Sequence, residues 1–173
     1  GYGKLSGSTV KKKFSSINRT IATDCSFGSY AGTGELDFTN VSVAEITENT
    51  GEALLKNSLL NTVEITGNTE CKQTKCANLE VTGKTVLQDV EAQQAIAIIG
   101  KTTGYNTTCR ILSIVGKTNL SDVTAEKATI VGDIFATKTH FESAVITTSN
   151  TTFNDCTIDA LYVQKNNEKT APT

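Results

Sequence analysis

The sequence predicts an all-β fold: a single-stranded parallel β-helix, or solenoid, of about eight coils with three short strands per coil. Three observations carry this expectation. The composition favours strands over a conventional core, a glycine recurs every 16–17 residues, and the positions between glycines line up in columns. Of 173 residues, 29 are Thr and 13 are Asn, while Pro occurs once, at Pro172. Thr suits pleated, half-buried surfaces, and the near lack of Pro leaves backbone ladders unbroken. Only 38% of the chain is hydrophobic and 6% aromatic, with no Trp and no Met, so a core built on Phe, Trp and Leu is not expected.

The glycine period comes next. VEITG ends at Gly67, LEVTG at Gly83, IAIIG at Gly100, LSIVG at Gly116 and ATIVG at Gly132. In the following turn AVITTSN takes the place of the glycine, so the period outlasts it. A corner needing positive φ or a close backbone approach explains such a glycine.

Between the glycines, one column reads Phe38, Leu55, Cys71, Leu87, Gly104, Leu120, Ala136, Phe153. A second reads Val41, Ser58, Thr74, Val90, Thr107, Val123, Thr139, Cys156. A third reads Val43, Leu60, Cys76, Ala92, Cys109, Ala125, Phe141, Ile158. A paired column runs from Val63 and Ile65 through Leu79 and Val81 to Leu161 and Val163. Cys25 and Phe27 form a weaker early turn under Val41 and Val43. Inward positions two apart mark strands, and steps of three or four mark corners. Each coil buries little alone, so stability must come from neighbouring coils.

Along the chain this divides into residues 1–22 as an N-terminal cap or lead-in segment, 23–163 as the β-helix and 164–173 as a disordered polar tail. The Lys11-Lys12-Lys13 run reads as a solvated cap. The Gly/Ser-rich start from Gly1 to Ser8 resembles the beginning of a mature exported protein, such as a bacterial lipoprotein after its lipidated Cys. That favours the bacterial cell envelope over the cytoplasm, and a membrane would be met only through an anchor preceding Gly1. No apolar run approaches the roughly 18 residues of a membrane helix. With 16 basic against 18 acidic residues and a net charge of −2, there is no electrostatic footprint for nucleic acid.

Chemistry-bearing residues are few. Cys25, Cys71, Cys76, Cys109 and Cys156 all fall on inward columns and are expected to be buried thiols acting as small hydrophobes; only Cys71 and Cys76, in one coil, are placed to approach each other. His140 lies between inward Thr139 and Phe141 and should point outward without a catalytic role. The acid pairs Asp89/Glu91 and Asp122/Glu126 fall on outward faces. No nucleotide, metal or hydrolase motif is present. The five Asn-x-Ser/Thr sequences at Asn18, Asn40, Asn106, Asn119 and Asn150 follow from the composition. The expectation is a protein that is not an enzyme and needs no cofactor or metal.

The stretch IVGDIFATKTHFESAVI, Ile130 to Ile146, resembles the bactofilins, bacterial polymer-forming cytoskeletal proteins. LEVTGKTVLQDVEA, Leu79 to Ala92, and IVGKTNLSDVTAEKATIVG, Ile114 to Gly132, are similar in style. The resemblance covers about residues 36 to 163 and implies a right-handed three-faced β-helix that polymerises end to end without nucleotide. The repeats here run longer, and the cysteines and lack of Pro depart from the family.

The function expected is therefore structural: a scaffolding protein associating with itself or with another envelope protein. Its candidate assembly ends are Phe27, Phe38, Val41 and Val43 in the first coils and Phe153, Ile158, Leu161 and Val163 in the last. Exposed end-coil backbone can template another subunit. The alternative is an exported adhesin- or lectin-like binding module using a flat Thr/Asn-rich face, which a lengthwise array of outward Thr would favour.

Overall fold

The structure, a computed structural model, describes residues 2–165. They form fifteen strands and no helix. In chain order these are β1 Tyr2–Ser6, β2 Thr9–Thr23, β3 Ser26–Thr39, β4 Ser42–Thr50, β5 Ala53–Lys56, β6 Leu59–Thr66, β7 Thr69–Lys72, β8 Lys75–Thr82, β9 Thr85–Ile99, β10 Thr102–Val115, β11 Thr118–Val131, β12 Ile134–Thr137, β13 His140–Thr148, β14 Thr151–Asn154 and β15 Thr157–Lys165. All pairings are parallel, and each residue's partner lies 16 or 17 positions away. The chain is thus a parallel β-solenoid of about ten coils, roughly 48 Å long at the usual strand spacing.

Three paired segments make each coil. In β10 these are Thr102 to Tyr105, Thr107 to Cys109 and Ile111 to Val115. We call them faces A, B and C. Face A begins after the glycine corner, and face C ends at the next one.

The glycine corner is steeper in its demands than periodicity alone suggests. Gly67 has φ 149°, and a Cβ placed on it would lie 2.0 Å from the carbonyl oxygen of Gly51 in the coil below. Handedness of the residue and lack of space therefore both select glycine. The ladder extends below the five glycines of the repeat to Gly51 and Gly34, with Asn18 (φ 84°) at its foot. Where the glycine is missing, Thr148 takes over. Its hydroxyl donates to the Asn150 carbonyl at 2.9 Å and accepts the Asn150 N–H at 3.0 Å.

A second ladder turns the corner between faces A and B. Asp24, Asn40, Asn57, Gln73, Asp89, Asn106, Asp122, Lys138 and Asp155 all have φ between 45° and 54°. Short polar side chains tolerate this left-handed conformation. Along the ladder no two aspartates are neighbours. Amides, and Lys138 between Asp122 and Asp155, separate them instead, and asparagines donate across coils, Asn40 to Asp24 at 2.9 Å and Asn106 to Asp89 at 2.6 Å. Of the sequon asparagines, Asn40 and Asn106 thus turn this corner, and Asn18 turns the glycine corner.

The inward columns read from the sequence are buried from Cys25 to Ile146. One inward column was not read from it: Thr69, Thr85, Thr102 and Thr118, just after the glycines, are all buried. Buried hydroxyls need partners. Corner geometry supplies one, the carbonyl two residues back, as for Thr118 to Gly116 at 3.3 Å and Thr74 to Lys72 at 3.0 Å.

The N-terminal segment differs from expectation. It is no separate cap: β1 pairs in parallel with Arg19 to Thr23, and β2 pairs with β3 along its length. Its Ser- and Lys-rich letters hid the coil. Gly28 makes room for a bulge at Lys11 and Lys12, since a Cβ there would lie 2.6 Å from the Lys11 carbonyl. Of the disordered polar tail expected from residue 164, Gln164 and Lys165 belong instead to β15; the rest of it lies outside the described residues.

Candidate assembly ends and flat faces

Coil stacking decides what each end presents. Phe27, Phe38, Val41 and Val43, the expected N-terminal end, are fully buried. Residues 2–23 coil beneath them, so these four belong to the interior. Phe27 and Phe38 stack with ring centroids 5.6 Å apart, Tyr30 meets Phe38 edge-on at 5.1 Å, and Phe14 stacks on Phe27 at 5.5 Å. The Tyr30 hydroxyl donates to Thr20 at 3.1 Å. The true first coil presents half-buried Leu5, Val10 and Phe14. Lys11, Lys12 and Lys13 are exposed beside them.

Among the described residues, the last coil is covered on one side only. Phe153, Cys156 and Ile158 are only half-buried, while Leu161 and Val163 are 46% and 47% exposed. Among the described residues, β14 and β15 have a strand partner on one side only. Asp155 and Asp159 are exposed on this coil. Asp159 sits at the corner following Ile158, and Lys11 and Lys12 sit at the corner following Val10. Val10 and Ile158 share one column, the one that runs through Phe27 and Phe141. The two ends thus carry opposite charge at the same corner.

Face C divides lengthwise. Its N-terminal part carries two outward ladders, Thr33-Thr50-Thr66-Thr82 and Glu48-Glu64-Glu80, in strict register. A shallow depression of about 450 Å³ lies over these residues, bordered by Ile99. Farther along, the same columns turn to Ile99, Val115 and Val131, and to Ala97, Ser113 and Thr129. Face A bears Tyr105 and Phe135 beside a depression lined by Asn119, Ser121 and Lys117.

The other singled-out residues are accounted for by structure. All five cysteines are free thiols; four are buried and Cys156 is half-buried. Cys71 and Cys76 form no disulfide. Burial pushes the thiols of Cys76 and Cys109 up to about 12, and that of Cys71 higher still, with Cys76 and Glu70 adding to the effect of burial. Such thiols are protonated and unreactive near neutral pH. His140 is half-buried in β13, between Thr124 and Thr157 of the flanking coils. Asp89 accepts from Asn106. Glu91 pairs with Lys75 at 2.6 Å, Glu126 with Arg110 at 3.2 Å, and Asp122 accepts from Ser121 at 2.9 Å. Among the described residues, no group of three His, Cys, Asp or Glu side chains is placed to hold a metal ion.

The corner ladder, the buried Thr column and the divided face escaped sequence reading. A signal existed for the first, since a polar residue precedes every inward residue of the second column. No protein-family model, curated protein or solved structure matches the chain.

Proposed function

We propose that this β-solenoid is a non-enzymatic scaffolding protein that assembles end to end. The observation carrying this reading is the open last coil, where inward-column residues Leu161 and Val163 remain nearly half exposed. An unpaired strand edge above apolar side chains is a template for another strand. Stacking a first coil on a last coil supplies the missing neighbour for both. It sets Lys11 and Lys12 over Asp159, which favours head-to-tail joining of copies. A heterologous contact that does not close builds a filament. The bactofilin-like stretches support the same reading.

A second reading has one specific observation in its favour. The outward Thr33-Thr50-Thr66-Thr82 column is the lengthwise array expected of a binding module, with hydroxyls and carboxylates facing a polar ligand.

Negative-stain electron microscopy of the full chain at low and moderate salt separates the two. End-to-end assembly predicts rods joined with an axial repeat of roughly 48 Å, shortened by salt and abolished by Leu161→Asp. Dispersed single rods at every concentration and salt would overturn assembly and put the binding module first.

A further inference from the structure

The C-terminal part of face C has the composition of an interface. Over the five coils from Ala95 to Gln164, its outward positions include a single charge, Lys127 at the edge. Ile99 (60% exposed), Val115, Val131, Ile111, Val145 and Tyr162 stand out from it in register. Natural solvent-facing sheets carry interspersed charge, and contiguous apolar patches of this kind mark contact sites.

We propose that this face pairs laterally with the same face of a second copy, the two solenoids running antiparallel. Pitch is one argument. The apolar ridges repeat at the coil spacing, and only another sheet of the same spacing meets every ridge over five strands. Area is another. By strand and residue spacings the face covers roughly 480 Å² per copy, so pairing removes roughly 1,000 Å² in total, about what a specific contact requires. Charge fixes the direction. Parallel pairing lays the Glu48-Glu64-Glu80 ladder against itself. A two-fold axis between the coils of Val115 and Val131 avoids this: Val115 meets Val131, Ala97 meets Val145, Ile111 covers the Lys127 stem and Glu80 reaches the Tyr162 hydroxyl. The contact is independent of the end-to-end joint and uses different residues.

The test is sedimentation equilibrium of full-length Leu161→Asp protein, in which the end joint is blocked, from about 1 to 200 µM. The pairing predicts a dimer that dissociates within this range. Val115→Lys/Val131→Lys should leave only monomer, with an unchanged far-UV spectrum. If the double Lys variant fails to fold, Val115→Thr/Val131→Thr replaces it, because this column already holds Thr at positions 50, 66 and 82. That variant should weaken the dimer at least tenfold. A monomer at all concentrations, or a dimer indifferent to both double variants, would overturn the proposal.

Discussion

Leu79 and Val81 occupy the same two columns as Leu161 and Val163. The first pair is 1% and 3% exposed, the second 46% and 47%. Side-chain type and inward orientation are the same, so neither explains the difference. A coil on each side does. In a solenoid of this section, burial is a property of the stack, and a column position becomes core only when both neighbours are present. The first coil shows the same rule softened by size: Phe14 covers Phe27 with a broad ring, where the column of Phe14 ends in the smaller Leu161 at the last coil.

The comparison is broken most directly by truncation. Leu79→Ala should cost about 2–5 kcal/mol, as for a fully packed leucine, while Leu161→Ala should cost about 1 kcal/mol or less. Urea unfolding of the two variants checks this; equal losses would mean that the last coil is packed like the middle.

The glycine ladder offers the next largest contrast. Gly83 has φ 150°, and an added Cβ would lie 2.2 Å from the Gly67 carbonyl oxygen. Gly83→Ala should lose about 1–3 kcal/mol or more through backbone strain. Asn18→Gly, at the foot of the ladder, should change stability by about 1 kcal/mol or less, because glycine adopts positive φ freely but loses more conformational entropy on folding. Thermal melts of both variants measure it.

Thiols sharpen the comparison chemically. Cys76 and Cys109 are held up at about 12 from an ordinary value near 9 by burial, so the folded state keeps protons that the unfolded state releases. Their contribution to stability is complete below about pH 9 and is lost as pH rises toward 12, by roughly 1 kcal/mol per pH unit for each thiol. Urea midpoints between pH 8 and 11 should fall accordingly, and Cys109→Ala should flatten the fall. In native protein at pH 8, Cys156 should react with an aromatic disulfide reagent while Cys76 and Cys109 do not. Modification of all five at one rate would contradict the burial.

The smallest expected effect concerns the carboxylate ladder of face C. Glu64 has a like charge in the coil on either side, and like charges directly opposite one another are destabilising. Glu64→Gln should raise stability by about 0.2–1 kcal/mol in low salt. Glu80→Gln, with one like-charged neighbour, should gain about half as much.

Much of the fold was legible because glycine has few substitutes. A corner that needs positive φ and lies over another carbonyl repeats one letter, and Gly67 to Gly132 display it. The Asp24-to-Asp155 corner needs positive φ with room for a side chain. It accepts Asp, Asn, Gln and Lys, so no single letter marks it. Thr69, Thr85, Thr102 and Thr118 read as outward polar residues until the corner carbonyl that satisfies most of them is known. Residues 2–22 lack an apolar rhythm because β1 and β2 enclose small and polar residues beside a few large rings. The candidate N-terminal end was misplaced for the reason the two coils differ: periodicity reports direction, whereas coverage depends on which segment coils beneath. Leu161 and Val163 needed only direction, since their inward columns run to the edge of the described residues.

The most direct measurement is hydrogen–deuterium exchange of the full chain at low and high protein concentration. If the last coil is the joint between copies, amides of β14 and β15 exchange fast in dilute protein and gain protection as concentration rises, while those of β8 are protected throughout. Exchange in β14 and β15 that is the same at every concentration would contradict end-to-end assembly.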